Sequence, residues 1–164
     1  NRTVAKMLGL QYAWSILKTD TIGDNPYRAI NGIFDARNSS WIYGDKLDIN
    51  IGKLDDSVVT QYGEQVEWIL FTPFLNLEKT SINKIEIATI PGFNTIDDAS
   101  VALSLTYNGL TYGGEYWLNY GSPLAYDNRF IFRRLGYVSD FVGLKFRGIS
   151  TSKMAFGLMK VDFS

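Results

Sequence analysis

Carboxylates, tyrosines, lysines and arginines are the side chains with which this sequence could do chemistry, because its 164 residues include no cysteine and no histidine. That composition removes disulfides, thiolate nucleophiles, Cys/His zinc sites, Ser-His-Asp triads and imidazole bases together. The carboxylates come first. Asp55-Asp56 and Asp97-Asp98 are adjacent pairs. Glycoside hydrolysis needs two carboxylates facing each other across a cleft. Neighbouring residues on a strand point to opposite faces, so a dipeptide pair serves that task badly. Both pairs lie beside turns, where aspartate bonds its own backbone.

Asp45-Lys46-Leu47-Asp48-Ile49-Asn50 has the acidity of a calcium loop but lacks the central glycine and terminal glutamate of an EF-hand. Residues 106–112, Thr-Tyr-Asn-Gly-Leu-Thr-Tyr, loosely resemble the Asp-box hairpin of sialidase-like propellers, with asparagine in place of aspartate. An Asn108-Gly109 turn with cross-strand aromatic packing accounts for them without chemistry. Tyr112, Tyr116, Trp117, Tyr120 and Tyr126 could stack on sugar rings, or fill a core or an interface. No catalytic residue, metal ligand or cofactor site is expected from these patterns.

The arginines carry the strongest pattern. Four of seven lie in residues 128–148, in two adjacent period-2 runs. With Phe130 and Phe132 inward, Arg129 and Arg133 face out and Arg134 falls on the core side, where it needs a carboxylate or carbonyl partner. Charge is also segregated. Residues 63–127 hold two Lys/Arg and eight Asp/Glu, a net of −6; residues 128–164 hold seven and two, a net of +5. If the strands interleave, the blocks neutralise each other within the domain. If they lie on opposite flanks, copies of the domain attract head to tail and can close a ring. Arg129, Arg133, Arg147, Tyr116 and Tyr126 are the residues expected at such an interface.

The elements that position these residues read as all-β. Short alternating runs separated by Gly/Asn/Asp/Pro clusters recur throughout. A short helix is expected over residues 2–8, and strands over 10–17, 28–34, 40–43 and 47–54. Residues 1–62 then form a partial, propeller-like sheet. Residues 63–164 form an antiparallel β-sandwich, jelly-roll-like or immunoglobulin-like, with strands over 66–71, 82–89, 101–107, 112–118, the two arginine-bearing runs, and 156–163. Met159, Val161 and Phe163 share one face of the last strand. A formal charge of −1 does not suit a dedicated nucleic-acid binder. No apolar run reaches membrane-spanning length. The chain opens on Asn1 rather than methionine, which points to a fragment or a processed product.

With these residues in view, the C-terminal part resembles the packaged-DNA stabilisation proteins, the tail accessory factors or nozzle proteins of short-tailed phages infecting enteric bacteria. The resemblance is carried by Phe132-Arg133-Arg134-Leu135-Gly136 and Phe146-Arg147. Gly44-Asp45, Gly52-Lys53-Leu54-Asp55, Thr72-Pro73 and residues 108–113 precede them in the order that the family shows. It covers roughly residues 40–164. Many relatives have Asp-Gly, and tryptophan before the Arg-Arg pair, where this chain has Asn108-Gly109 and Phe132. The resemblance implies a non-enzymatic virion protein made in the host bacterial cytoplasm. It also implies a hexameric ring below the portal and head-to-tail adaptor, with tail needle and tailspikes as partners and no sequence-specific contact to nucleic acid. The alternative reading is a carbohydrate-binding β-sandwich, which requires exposed, coplanar Tyr/Trp rings.

Overall fold

The computed structural model describes residues 2–7, 11–19, 25–55, 57–89, 99–125 and 129–164, without the side chains of 2–7 and 11–16. Every regular element among them is a strand. The chain divides into two compact units, Asn1–Val66 and Glu67–Ser164.

In the first unit, β1 (Arg2–Met7) and β2 (Gln11–Ile16) form an antiparallel hairpin, from Arg2 opposite Ile16 to Met7 opposite Gln11. The short helix expected over residues 2–8 is therefore a strand. Full antiparallel pairing outweighs the weak helical preference of a short segment that includes β-branched Thr3 and Val4. β3 (Ala29–Asp35), β4 (Ser40–Asp45) and β5 (Ile51–Lys53) form a meander. The β3–β4 turn is built by Asp35, which accepts from Arg37 N at 3.0 Å and Asn38 Nδ2 at 2.6 Å. The strand expected over 47–54 shrinks to three residues. Asp45 accepts from Leu47 N, and Asp48 from Ile49 N, so these side chains capture backbone groups that a ladder would use. Leu47 and Ile49 are accordingly exposed.

The second unit is a two-sheet sandwich. One sheet runs β10 (Tyr116–Asn119), β9 (Ser100–Thr106), β12 (Phe141–Ser150), β6 (Val66–Phe71), with the short β7 (Leu75–Asn76) also paired to β12. The other runs β11 (Phe130–Val138), β8 (Thr80–Thr89), β13 (Phe156–Phe163). The core lies between them. Val101, Leu103 and Leu105 from β9 and Val142, Leu144 and Phe146 from β12 meet Ile82, Ile85, Ile87, Phe130, Phe132 and Leu135 from the opposite sheet. Glycine is required at Gly148, where a Cβ would fall on the indole of Trp68, which in turn packs edge-on against Phe156.

Three sequence expectations shift here. Pairing of β10 starts at Tyr116 rather than at 112, because Asn108 organises residues 107–115 as a loop. Its Oδ1 accepts from Leu110 N and Thr111 N, both at 2.9 Å, while Gly109 N donates to Thr106 Oγ1. Phe163, the last residue of β13, stands opposite the buried Ile82 across a register shift in β8 but is 53% exposed, whereas Met159 and Val161 are partly buried against the core. The third is Arg134. β11 has one extra residue between Arg133, opposite Lys84, and Gly136, opposite Ile82. This bulge places Arg134 at φ 57° and Gly136 at φ 96°. Arg134 is therefore exposed, and Leu135 takes the inward position at 3% exposure. Strict alternation would have buried the arginine.

Candidate assembly interface

Strand order decides what the arginines do. β11 lies beside β8, so Arg129 reaches across to Glu86. Its Nη2 donates to Oε1 at 2.7 Å and to Oε2 at 2.8 Å, and Nε donates to Oε1 at 2.9 Å. The bidentate hydrogen bond holds the Glu86 carboxyl below its ordinary range. Arg147 on β12 donates to Glu67 of β6 at 3.0 Å and to Glu115, in the loop before β10, at 2.7 Å. Its guanidinium carbon sits 4.8 Å above the Trp117 ring. Lys84 lies 3.8 Å from both Glu86 and Asp162. The acidic and basic blocks thus interleave, and Arg129 and Arg147 are ion-paired inside their own unit. Arg133 and Arg134 differ. Both are exposed, and among the described residues neither has a carboxylate within ion-pair distance.

The aromatics also sort by position. Tyr120 is fully buried, its hydroxyl donating to Ala155 O at 2.7 Å and accepting from Ala155 N at 2.9 Å. Tyr116 and Trp117 stay partly exposed but are neighbours on β10, so their rings occupy opposite faces of the sheet. One face of Trp117 is covered by Arg147, and one face of Tyr112 by Lys145 Nζ at 4.9 Å. Lys145 and Arg147 are alternate residues of β12, so Tyr112 and Trp117 lie on one face of the sheet and Tyr116 on the other, and the three rings do not form a single platform. Tyr126, and the pair Asp97-Asp98, lie outside the described residues.

Between the edge strands β10 and β11 the two sheets gape. The resulting cleft, about 410 Å³, is lined by Leu105 and Leu135, by Tyr107, Tyr112 and Tyr116, and by the turn residues Asn108, Thr111, Gly113 and Gly114. Leu105 and Leu135 are buried at its floor, and Tyr107 and Tyr116 are exposed at its mouth. Sequence reading did not assemble this cleft. The bulge that delivers Leu135 to it has a local trace in the Arg133-Arg134-Leu135-Gly136 run, but no local sign of where the strand would lie.

In the first unit Arg28 and Asp45 form a buried fork, with Arg28 Nε donating to Oδ1 at 2.9 Å and Nη2 to Oδ2. The guanidinium also lies 4.5 Å above the Tyr62 ring. Arg28 holds the Asp45 carboxyl down to about 2, with help from Leu47 N. Asp55 is held at about 2 by the Ser57 hydroxyl and backbone N–H and by Lys53. These aspartates build turns and pairs, as the sequence suggested for Asp55. A carboxyl depressed on folding stabilises the fold above its unfolded value near 3.9, and that contribution is lost as pH falls from about 4 to about 2. The β3–β5 meander is therefore expected to melt in acid across that window. Arg28→Gln should move the midpoint upward, read by NMR from the Ile42 and Tyr43 amides; an unmoved midpoint would rule out the Arg28–Asp45 pair as the cause.

Comparison with known proteins places this architecture. Residues 67–164 match the family model described as the β-sandwich of bacteriophage P22 Gp10, and residues 3–59 match the β-propeller model of the same protein. The chain belongs to the P22 Gp10 family. It is 30% identical over 139 residues, 85% of its length, to the tail hub protein gp10 of Salmonella phage P22. The chain spans 29% of that relative. Membership makes this Gp10 homologue a structural phage tail protein, a component of the virion. The all-β expectation, a sandwich preceded by a propeller-like sheet, holds in both parts.

Proposed function

We propose that this Gp10 homologue is part of a ring below the portal and head-to-tail adaptor of a short phage tail. There it helps retain packaged DNA and supports attachment of the needle and tailspikes. Its role is mechanical: extended interfaces with copies of itself and with other tail proteins hold the ring. The observation that carries this reading is the match of the whole sandwich, residues 67–164, to the P22 Gp10 family. Near-neutral charge agrees with it, because a strongly basic lumen would hold the genome that it must release. No catalytic step is assigned to any residue.

The test uses the full-length parent protein. Mixed with a portal–adaptor complex and separated by size, it should comigrate with the complex and close into a ring on it. A protein that stays monomeric and never joins the complex would overturn the proposal.

A further inference from the structure

The outer face of the β11–β8–β13 sheet carries a charge that its own described residues do not balance. Ile131 and Arg133 alternate with the core residues Phe130 and Phe132 on β11. Glu86 lies between Ile85 and Ile87, and Lys160 between Met159 and Val161, so these side chains point away from the core. Register aligns them in two rows. Ile131, Glu86 and Lys160 form one; Arg133, Lys84 and Asp162 form the next. The rows are about 7 Å apart along the strands. Arg129 joins this face through its fork on Glu86. Arg129, Arg133, Lys84 and Lys160 therefore stand against Glu86 and Asp162 alone.

Both carboxylates are already engaged, Glu86 by Arg129 and Lys84, and Asp162 by Lys84. Arg133 and Lys160 are exposed, and among the described residues neither has a carboxylate within ion-pair distance. Arg133 also stands directly opposite Lys84 in the ladder, a like-charge pair from which the sheet alone gains nothing. A carboxylate set between the two would turn repulsion into a bridge. The interspersed acids narrow the choice of anion. A nucleic-acid duplex presents phosphates across its whole footprint, and some would fall on Glu86 and Asp162. A second copy has little to offer. Among the described residues of the sandwich, only the carboxylates of Glu78 and Asp140 lie outside ion pairs, and Lys79 stands next to Glu78. An extended acidic segment fits better, because its alternate side chains recur at the spacing of the two rows.

We propose that the outer face of β11, β8 and β13 docks an extended acidic segment of a partner polypeptide, with one carboxylate bridging Arg133 and Lys84 and the next reaching the row of Lys160. The inference rests on the assembly reading above only for the source of the partner. The surface itself stands on register and charge.

Titrating the 164-residue chain with acetyl-Glu-Thr-Glu-Thr-Glu-amide, followed by NMR of its amides, tests it. Saturable shifts at Lys84, Ile131, Arg133 and Lys160 are expected, with about millimolar affinity. The peptide with glutamine in place of glutamate should bind about fivefold more weakly, and added salt should narrow that gap. Arg133→Gln should weaken the acidic peptide about fivefold while the melting temperature holds or rises, since the like-charge pair with Lys84 is gone. An arginine needed only for the fold would lower the melting temperature instead. Lys46→Gln, an exposed lysine of the first unit, should leave binding unchanged. The proposal falls if the acidic peptide leaves these amides unmoved, if the glutamine peptide binds equally well, or if Lys46→Gln weakens binding as much as Arg133→Gln. It falls equally if a short DNA duplex saturates the same amides more tightly than the peptide, or if dilution of the chain alone moves them, which would make a second copy the occupant. Absent peptide binding in a parent protein that still joins its tail complex sinks the docking face alone. Peptide binding in a parent that never joins supports the face and removes the tail assignment of its partner.

Discussion

Phe132→Ala is expected to lower the unfolding free energy of the sandwich by about 3–5 kcal/mol. The ring is 2% exposed, sits opposite Ile85 across β11 and β8, and stands edge-on to Phe130 with centroids 5.2 Å apart. It also reaches Phe146 of the opposite sheet at 6.3 Å. Truncation therefore removes buried area and opens a cavity where the two sheets meet. The ladder to β8 holds the β11 backbone and the facing sheet is held by its own ladders, so the two layers collapse over the cavity only in part. Because the chain has two units, the measurement should report the sandwich alone: native-state hydrogen exchange at the Leu103 and Leu144 amides, deep in the core. Phe71→Ala, at a side chain 56% exposed, should cost less than about 1 kcal/mol in the same experiment. A similar cost for the two variants would mean that Phe132 is not central to the core.

Arg147→Met is expected to cost about 3 kcal/mol. The loss comes less from the ion pairs than from what they leave behind. The Glu67 side chain is 4% exposed, and without Arg147 its carboxylate loses the cation that compensates its burial. Glu115 is more accessible at 27%, so Glu115→Gln should cost distinctly less. The diagnostic is the double variant Arg147→Met with Glu67→Met. Removing both charges should recover most of the stability lost by Arg147→Met alone, since an apolar pair of similar size carries no desolvation penalty. Hydrogen exchange at Phe146 and Ala102, beside the pair, reads the effect. Additive losses in the double variant would show that Arg147 acts by packing on Trp117 rather than by neutralising Glu67.

The arginine-rich run shows where sequence reasoning holds and where it stops. Alternation placed Arg129 and Arg133 outward, and both are exposed. It placed Arg134 inward and failed there, because alternation assumes an unbroken ladder. One extra residue between Arg133 and Gly136 re-phases the strand and exchanges Arg134 for Leu135. The charge blocks show the same limit at longer range. Two arrangements of a −6 and a +5 segment were open in the sequence, interleaved or on separate flanks. Pairing of β11 with β8, and of β12 with β9 and β6, selects interleaving and turns Arg129 and Arg147 into internal partners. In the first unit, the strand expected over 47–54 was too long because Asp45 and Asp48 bond backbone within two residues, a competition that hydrophobic alternation does not register.

By itself the sequence determined what depends on near neighbours. Strand-forming alternation, turns at Asp35, Asp55 and Asn108, a chain without thiol or imidazole chemistry, and the motifs that resemble its family were all legible. Tertiary structure decided everything that depends on which strand lies beside which. Arg129 and Arg147 gained their partners 43 and 80 residues away in sequence. The cleft floored by Leu105 and Leu135 exists because β10 and β11 are the edges of facing sheets. The physical reason is that side-chain direction along a strand is set by local geometry, whereas register and strand order are set by burying one common core, and no short window of residues contains that core.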